Sequence, residues 1–188
     1  MFIAHILKNE RGRIMKKKLS LVMVSVLVFG LFAGASFAAE LKLGKAEYAA
    51  HGTKCFTIAV VALEGDKIVA AYLDEYQMLP KDQATGVPNS SADFGQAFAN
   101  PEQVLASKRV NNDYYSNNMT RAGSTQSLVK SWSAIESFVV GKTVSELEAI
   151  VTATDKAAMV DTVSGATLVD TKGYVEALLL AAYDALSN

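Results

Sequence analysis

Apolar and polar positions change period several times along this chain, and each change marks an element. Thr57 to Glu64 is apolar and partly β-branched, and Gly65-Asp66 breaks it. From Lys67 to Gln77 the chain alternates, with Ile68, Ala70 and Tyr72 on one side and Val69, Ala71 and Leu73 on the other. Two such runs around Gly-Asp predict a β-hairpin. Its second strand closes on Asp74-Glu75-Tyr76-Gln77, expected at the end or edge of a sheet. Leu128, Trp132, Ile135 and Val139 then fall on one helical face ended by Gly141, and this stripe makes Trp132 a core residue. Thr143-Val144-Ser145-Glu146 is a capping box opening a helix to about Val151. Val160 to Val163 suits a short strand. A last helix covers about Asp170 to Leu186, with Val175, Leu178, Leu179, Ala182 and Leu186 as its buried stripe. Ala181, Ala182 and Ala185 favour that helix.

The connections carry their own signals. Residues 80–101 hold all three prolines and read as a loop. Asn100-Pro101 reads as the N-cap and first position of a short helix through Leu105. Ser107 to Thr125, SKRVNNDYYSNNMTRAGST, follows neither period and reads as a long loop. Its amides, such as Asn111, could hydrogen-bond a polar ring edge, and its tyrosines, such as Tyr115, could stack on a ring; an ordinary solvated connection fits equally well. Asn118-Met119-Thr120 matches a glycosylation sequon, a pattern that also arises by chance. The elements together predict an α+β fold: an antiparallel sheet with helices packed against it, in a single domain.

Composition narrows the chemistry. Met15-Lys16-Lys17-Lys18, an apolar run from Leu19 to Phe32 and Ser36-Phe37-Ala38 read as a signal peptide cleaved before Ala39, so residues 1–38 are a leader and Met15 is its natural start. An uncleaved membrane anchor is the rival reading, although the apolar run is short for a span of about 20 residues. Export to the periplasm, cell surface or medium follows. Residues 39–56 then form an N-terminal extension to a domain at 57–188. The leader holds 6 of the 18 Lys and Arg and 1 of the 19 acids, leaving a net charge of −6 after residue 38. An acidic domain argues against nucleic acid and against an anionic membrane surface. Cys55 is the only cysteine, and only His51 of two histidines follows the leader. No metal site, iron–sulfur cluster or Ser-His-Asp triad is expected from that set, and no catalytic residue is assigned. An electron carrier of this composition needs an organic cofactor.

Asp161-Thr162-Val163-Ser164-Gly165-Ala166-Thr167 reads as a small-residue turn with two hydroxyls close to a glycine, running into the last helical pattern. Gly165 permits positive φ or close approach to a ligand, and Ser164 and Ala166 are too small to block it. Thr167 offers a hydroxyl where a helix is expected to begin, and a helix N-terminus favours phosphate. A plain turn and helix cap uses the same residues.

The form D-x-x-S-G-A-T is similar to the flavinylation motif of the FMN-binding domain family, which includes the flavin subunits of Rnf and sodium-pumping NADH:quinone reductase complexes. The resemblance covers about Thr57 to Leu186. Lys67 to Gln77 is similar to the hairpin strand that opens those domains, and Ser107-Lys108-Arg109 and Gly123-Ser124-Thr125 look like patterns in small exported members. It implies an electron-transfer flavoprotein with FMN joined covalently to Thr167 by a phosphoester. Asp161, Ser164, Gly165 and Ala166 would form the loop around the phosphate, and Asn111, Tyr115, Ser124 and Thr125 would approach the flavin from the 107–125 segment. The implied partners are a flavin transferase using FAD and Mg²⁺, and redox proteins or a quinone-linked membrane complex. The chain lacks the lipobox of lipoprotein carriers, so membrane association would be loose at most. Two other classes fit the residues: a module binding FMN or another ligand non-covalently, and a structural exported domain without flavin.

Overall fold

The computed structural model describes residues 40–52, 54–90 and 100–188; the leader lies outside them. Four strands form one antiparallel sheet in sequence order: β1 (Leu41–Tyr48), β2 (Cys55–Glu64), β3 (Lys67–Pro80) and β4 (Gln103–Ser107). Five helices follow: α1 (Asn112–Arg121), α2 (Leu128–Val139), α3 (Val144–Ala153), α4 (Lys156–Thr162) and α5 (Thr171–Ser187). The expected α+β architecture, a sheet with helices against it, is the one observed.

The β2–β3 hairpin turns at Gly65-Asp66 as the pattern requires. A register shift at Ala62/Leu63 leaves Val69 as the extra residue, so Leu63 and Ile68 pair and are both fully buried. Along β2 the inward set is Cys55, Thr57, Ala59, Val61 and Leu63. Helix α5 crosses this face over β1 and β2, and α2 packs on β3. Trp132 and Ile135 of α2 join Tyr174, Val175 and Leu178 of α5 in one core. On the opposite face Phe56 stacks on Tyr76 with ring centroids 5.5 Å apart.

Several expectations change. The segment read as an extension contains β1, paired with β2 from Leu41↔Glu64 to Tyr48↔Thr57, so it belongs to the sheet. Its lysines and glutamate lie on an edge strand, which masks the strand signal. Asp74-Glu75-Tyr76-Gln77 lies within the sheet, because β3 runs on to Pro80 and pairs with β4. The helix expected after Pro101 is strand β4, since pairing with Met78–Pro80 outweighs the N-cap signal. Most of the 107–125 loop is helix α1, whose polar residues bury none of their number completely. The strand expected at Val160 is the end of α4, capped by Asp155, whose carboxylate accepts from the Ala158 N–H at 2.8 Å. In α5 the predicted stripe is buried except Leu186, which is exposed as the helix passes the edge of β1.

The α5–β1 contact sets where the helix begins. A Cβ at Gly44 would lie 2.0 Å from the Ala181 carbonyl oxygen and 2.4 Å from the Ala185 nitrogen. One at Gly173 would lie 2.6 Å from the Ala50 carbonyl oxygen. Backbone cannot yield as a side chain does, so both positions need glycine for contact alone. Gly44→Ala is predicted to cost at least about 2 kcal/mol through overpacking. Denaturant unfolding checks this, and a midpoint equal to that of the parent chain would contradict it.

Candidate functional site

The Asp161–Thr167 stretch is held in place from below. After α4, the Ala166 N–H donates to the Val163 carbonyl at 3.0 Å, with Val163 and Ala166 both buried. Gly165 takes φ +89°, a conformation that strains other residues, and a Cβ there would meet Ala134 Cβ of α2 at 3.3 Å. The Gln126 side-chain amide donates to the Gly165 carbonyl. Thr167 is left exposed, with Oγ1 3.4 Å from Ser131 Oγ. It does not sit at the start of the last helix, as expected. Leu168 to Asp170 form an intervening turn, and the Leu168 carbonyl accepts from the Thr171 N–H at 3.0 Å and the Thr171 hydroxyl at 2.6 Å.

Thr167 stands on the rim of a cavity of about 440 Å³. Small-molecule sites fall in the range of roughly 300–1,000 Å³. Tyr115 and Met119 of α1 form one wall, with Ala122, Gly123 and Ser124 just beyond the helix. Leu128 and Tyr174 form the floor, Thr167 to Asp170 the facing wall, and His51 one end. The wall is rigid where α1 meets α2. Ser116 Oγ accepts from the Leu128 N–H and Asn112 Oδ1 from the Val129 N–H, each at 3.1 Å, while Ser127 Oγ caps Lys130. The first N–H groups of α2 are thereby taken, and α1 is strapped to α2 at the cavity's edge.

Beneath that wall runs a buried polar chain. Glu75 and Lys108 are fully buried and form an ion pair. The Glu75 carboxylate also accepts from the Thr57 hydroxyl at 3.0 Å and the Tyr174 hydroxyl at 3.1 Å. Burial, and then the Glu75 charge, raise the Tyr174 pKa, so its phenol stays protonated and donates. Lys108 Nζ donates to the Tyr115 hydroxyl at 3.0 Å and lies 4.3 Å from that ring's centroid. Burial opposes its charge, yet Glu75 and Tyr115 together hold its pKa above the usual 10.5. The Tyr115 hydroxyl lies 3.5 Å from His51 Nε2, and His51 Nδ1 lies 3.1 Å from Asp170 Oδ2. The flanking residues of Lys108 anchor the same corner: Ser107 Oγ donates to Asp74 at 2.6 Å, and Arg109 pairs with Glu136 and donates to the Leu73 carbonyl at 2.8 Å. Cys55 is free, and burial followed by the Glu75 charge push its pKa to about 11, so its thiol is unreactive at neutral pH.

Nine residues were expected to hold a cofactor, and they divide three ways. Thr167, Tyr115 and Ser124 line the cavity; Gly165 and Ala166 build the loop that presents Thr167. Asp161 and Ser164 are exposed and outside the lining. Thr125 is also outside it. Asn111 is spent elsewhere: its amide donates to the carbonyls of Thr85 (2.9 Å) and Ser107 (2.8 Å) and accepts from the Thr85 N–H (2.7 Å), pinning the loop after β3. With those groups satisfied it does not serve a ring edge. Pattern reading missed His51, Tyr174, Lys108 and Glu75. One signal was present, because Glu75 shares the inward parity of Leu73 on β3.

The chain matches no model of a known protein family, no curated protein and no solved structure among those compared.

Removing Lys108 leaves a buried carboxylate without its cation. Lys108→Met is predicted to cost about 3–5 kcal/mol, with much of it regained in Lys108→Met/Glu75→Gln, where no buried charge remains. Because the Lys108 pKa is raised, its contribution is complete below pH 10.5 and is lost only as pH climbs beyond that value. Denaturant unfolding of the three proteins checks the claim; a single variant within about 1 kcal/mol of the parent, the scale of a surface pair, would contradict it.

Proposed function

We propose that this chain is an exported electron-transfer flavoprotein that carries FMN through a phosphoester to Thr167. One observation carries the reading: the last residue of the D-x-x-S-G-A-T motif presents an exposed hydroxyl on the rim of a cavity of ligand size. The residues fit the group. Tyr115 and Tyr174 offer aromatic surface, and Met119, Leu128, Leu168 and Val169 offer apolar surface for a ring system. Gly165 and Ala166 keep bulk away from the hydroxyl. The exposure of Asp161 and Ser164 leaves the motif open to a modifying enzyme.

Attachment would form the bond from Thr167 Oγ to the FMN phosphorus and break the pyrophosphate of FAD, with the hydroxyl proton leaving on AMP. The flavin would supply the redox chemistry. The chain's own part is to tether the phosphate end at Thr167, shield the ring with Tyr115, Leu168 and Tyr174, and set the local charge through His51, Asp170 and the Lys108–Glu75 pair. A tether suits an exported carrier, because a dissociable cofactor would be lost by diffusion. The chain acts in this reading as a shuttle between redox partners, with no organic substrate of its own. Non-covalent binding of FMN or another ligand needs only the cavity, and a structural role needs neither.

Thr167→Ala is predicted to abolish flavin fluorescence on a denaturing gel after co-expression with a flavin transferase. The exposed site predicts a stability change within about 0.5 kcal/mol. Fluorescence retained by the variant would contradict attachment at Thr167, and a colourless parent chain would favour the structural role.

A further inference from the structure

The donors and acceptors around His51 fix where its proton sits. An ammonium only donates, so the Tyr115 oxygen accepts from Lys108 at 3.0 Å. His51 Nε2 lies 3.5 Å from the phenol oxygen. The Asp170 carboxylate only accepts, so the proton of the neutral ring sits on Nδ1 and donates to Oδ2 at 3.1 Å, which leaves Nε2 an acceptor on the side of the Tyr115 hydroxyl. Asp170 is itself held, since its other oxygen accepts from Lys156 of α4 at 2.5 Å. The charged and titratable groups facing this end are therefore Asp170 and Lys156, Tyr115 of α1 with Lys108 and Glu75 behind it, and Tyr174 of α5. His51 is 45% exposed and can exchange protons with solvent, whereas Lys108 and Glu75 are sealed.

We propose that His51 is the proton-binding group of this cavity and that Tyr115 is its hydroxyl rotor. When negative charge is placed on a ring in the cavity, His51 Nε2 takes one proton from solvent. The Tyr115 oxygen, still accepting from Lys108, then turns its own proton from His51 into the cavity. Nε2–H is the only bond formed in the chain and none is broken; the electrons come from an external redox protein, or from dithionite in the test. The identity of the ring rests on the flavin reading above. Lys108 acts as a positioning residue, because it donates to the Tyr115 oxygen and turns the hydroxyl proton away from itself.

Two measurements test this. Long-range ¹H–¹⁵N NMR of the flavin-free chain at alkaline pH should show neutral His51 with its proton on Nδ1, the resonances being assigned by their loss in His51→Gln. Predominance of the Nε2–H form would overturn the proposal. On the flavinylated chain, the midpoint potential should fall more steeply with rising pH over part of the range, and His51→Gln should lack that steeper segment. Coincident curves for the two proteins would overturn the proposal and leave the attachment intact. Failure of the parent chain to gain flavin would end both readings together. A merely structural His51 would show the same tautomer by NMR but leave the two potential curves coincident.

Discussion

A carboxylate buried at the centre of the molecule is the constraint on which the rest depends. Glu75 lies on an interior strand with no access to water. An isolated charge there would be prohibitive, so the chain must bring partners to it. It brings Thr57 from the neighbouring strand, Tyr174 from the last helix and Lys108 from the segment after β4. Each partner fixes one element relative to β3. Lys108 then reaches the Tyr115 hydroxyl, so the electrostatics that hold the core together also set the wall of the cavity. Replacing such a pair with apolar residues is often harmless to stability. Here the pair also places Lys108 against the Tyr115 hydroxyl.

The second constraint is steric. α5 lies so close to β1 and the chain after it that Gly44 and Gly173 have no room for a side chain. That contact fixes the start of α5, hence the turn from Leu168 to Asp170, and hence Thr167. From the other direction α4 and the Gly165 turn deliver the same threonine against α2. The hydroxyl is presented by two anchored ends, which is what a fixed attachment point needs.

Much of the scaffold was legible because it rests on local physics. The hairpin around Gly65-Asp66, the Thr143 capping box and the stripe from Leu128 to Val139 follow from turn chemistry, capping and period. What escaped depends on partners distant in sequence. β1 and β4 are strands because β2 and β3 lie beside them. α1 buries no residue fully and is held by polar contacts to α2, so it carries no apolar stripe to detect. Within the site, Thr167 was singled out by the motif and Tyr115 by its ring, and both line the cavity. Asn111 was misread because an amide that pins a loop looks the same in sequence as one that meets a ligand. His51 was passed over because a lone histidine carries no pattern; its meaning comes from Tyr115 and Asp170, 64 and 119 residues away.

Thr167 is proposed to bear a flavin. Intact mass of the chain co-expressed with a flavin transferase, followed by peptide mapping, tests it most directly. The account requires a gain equal to FMN less one water, carried by the peptide that contains Thr167. An unmodified mass, or a flavin located on another residue, would contradict it.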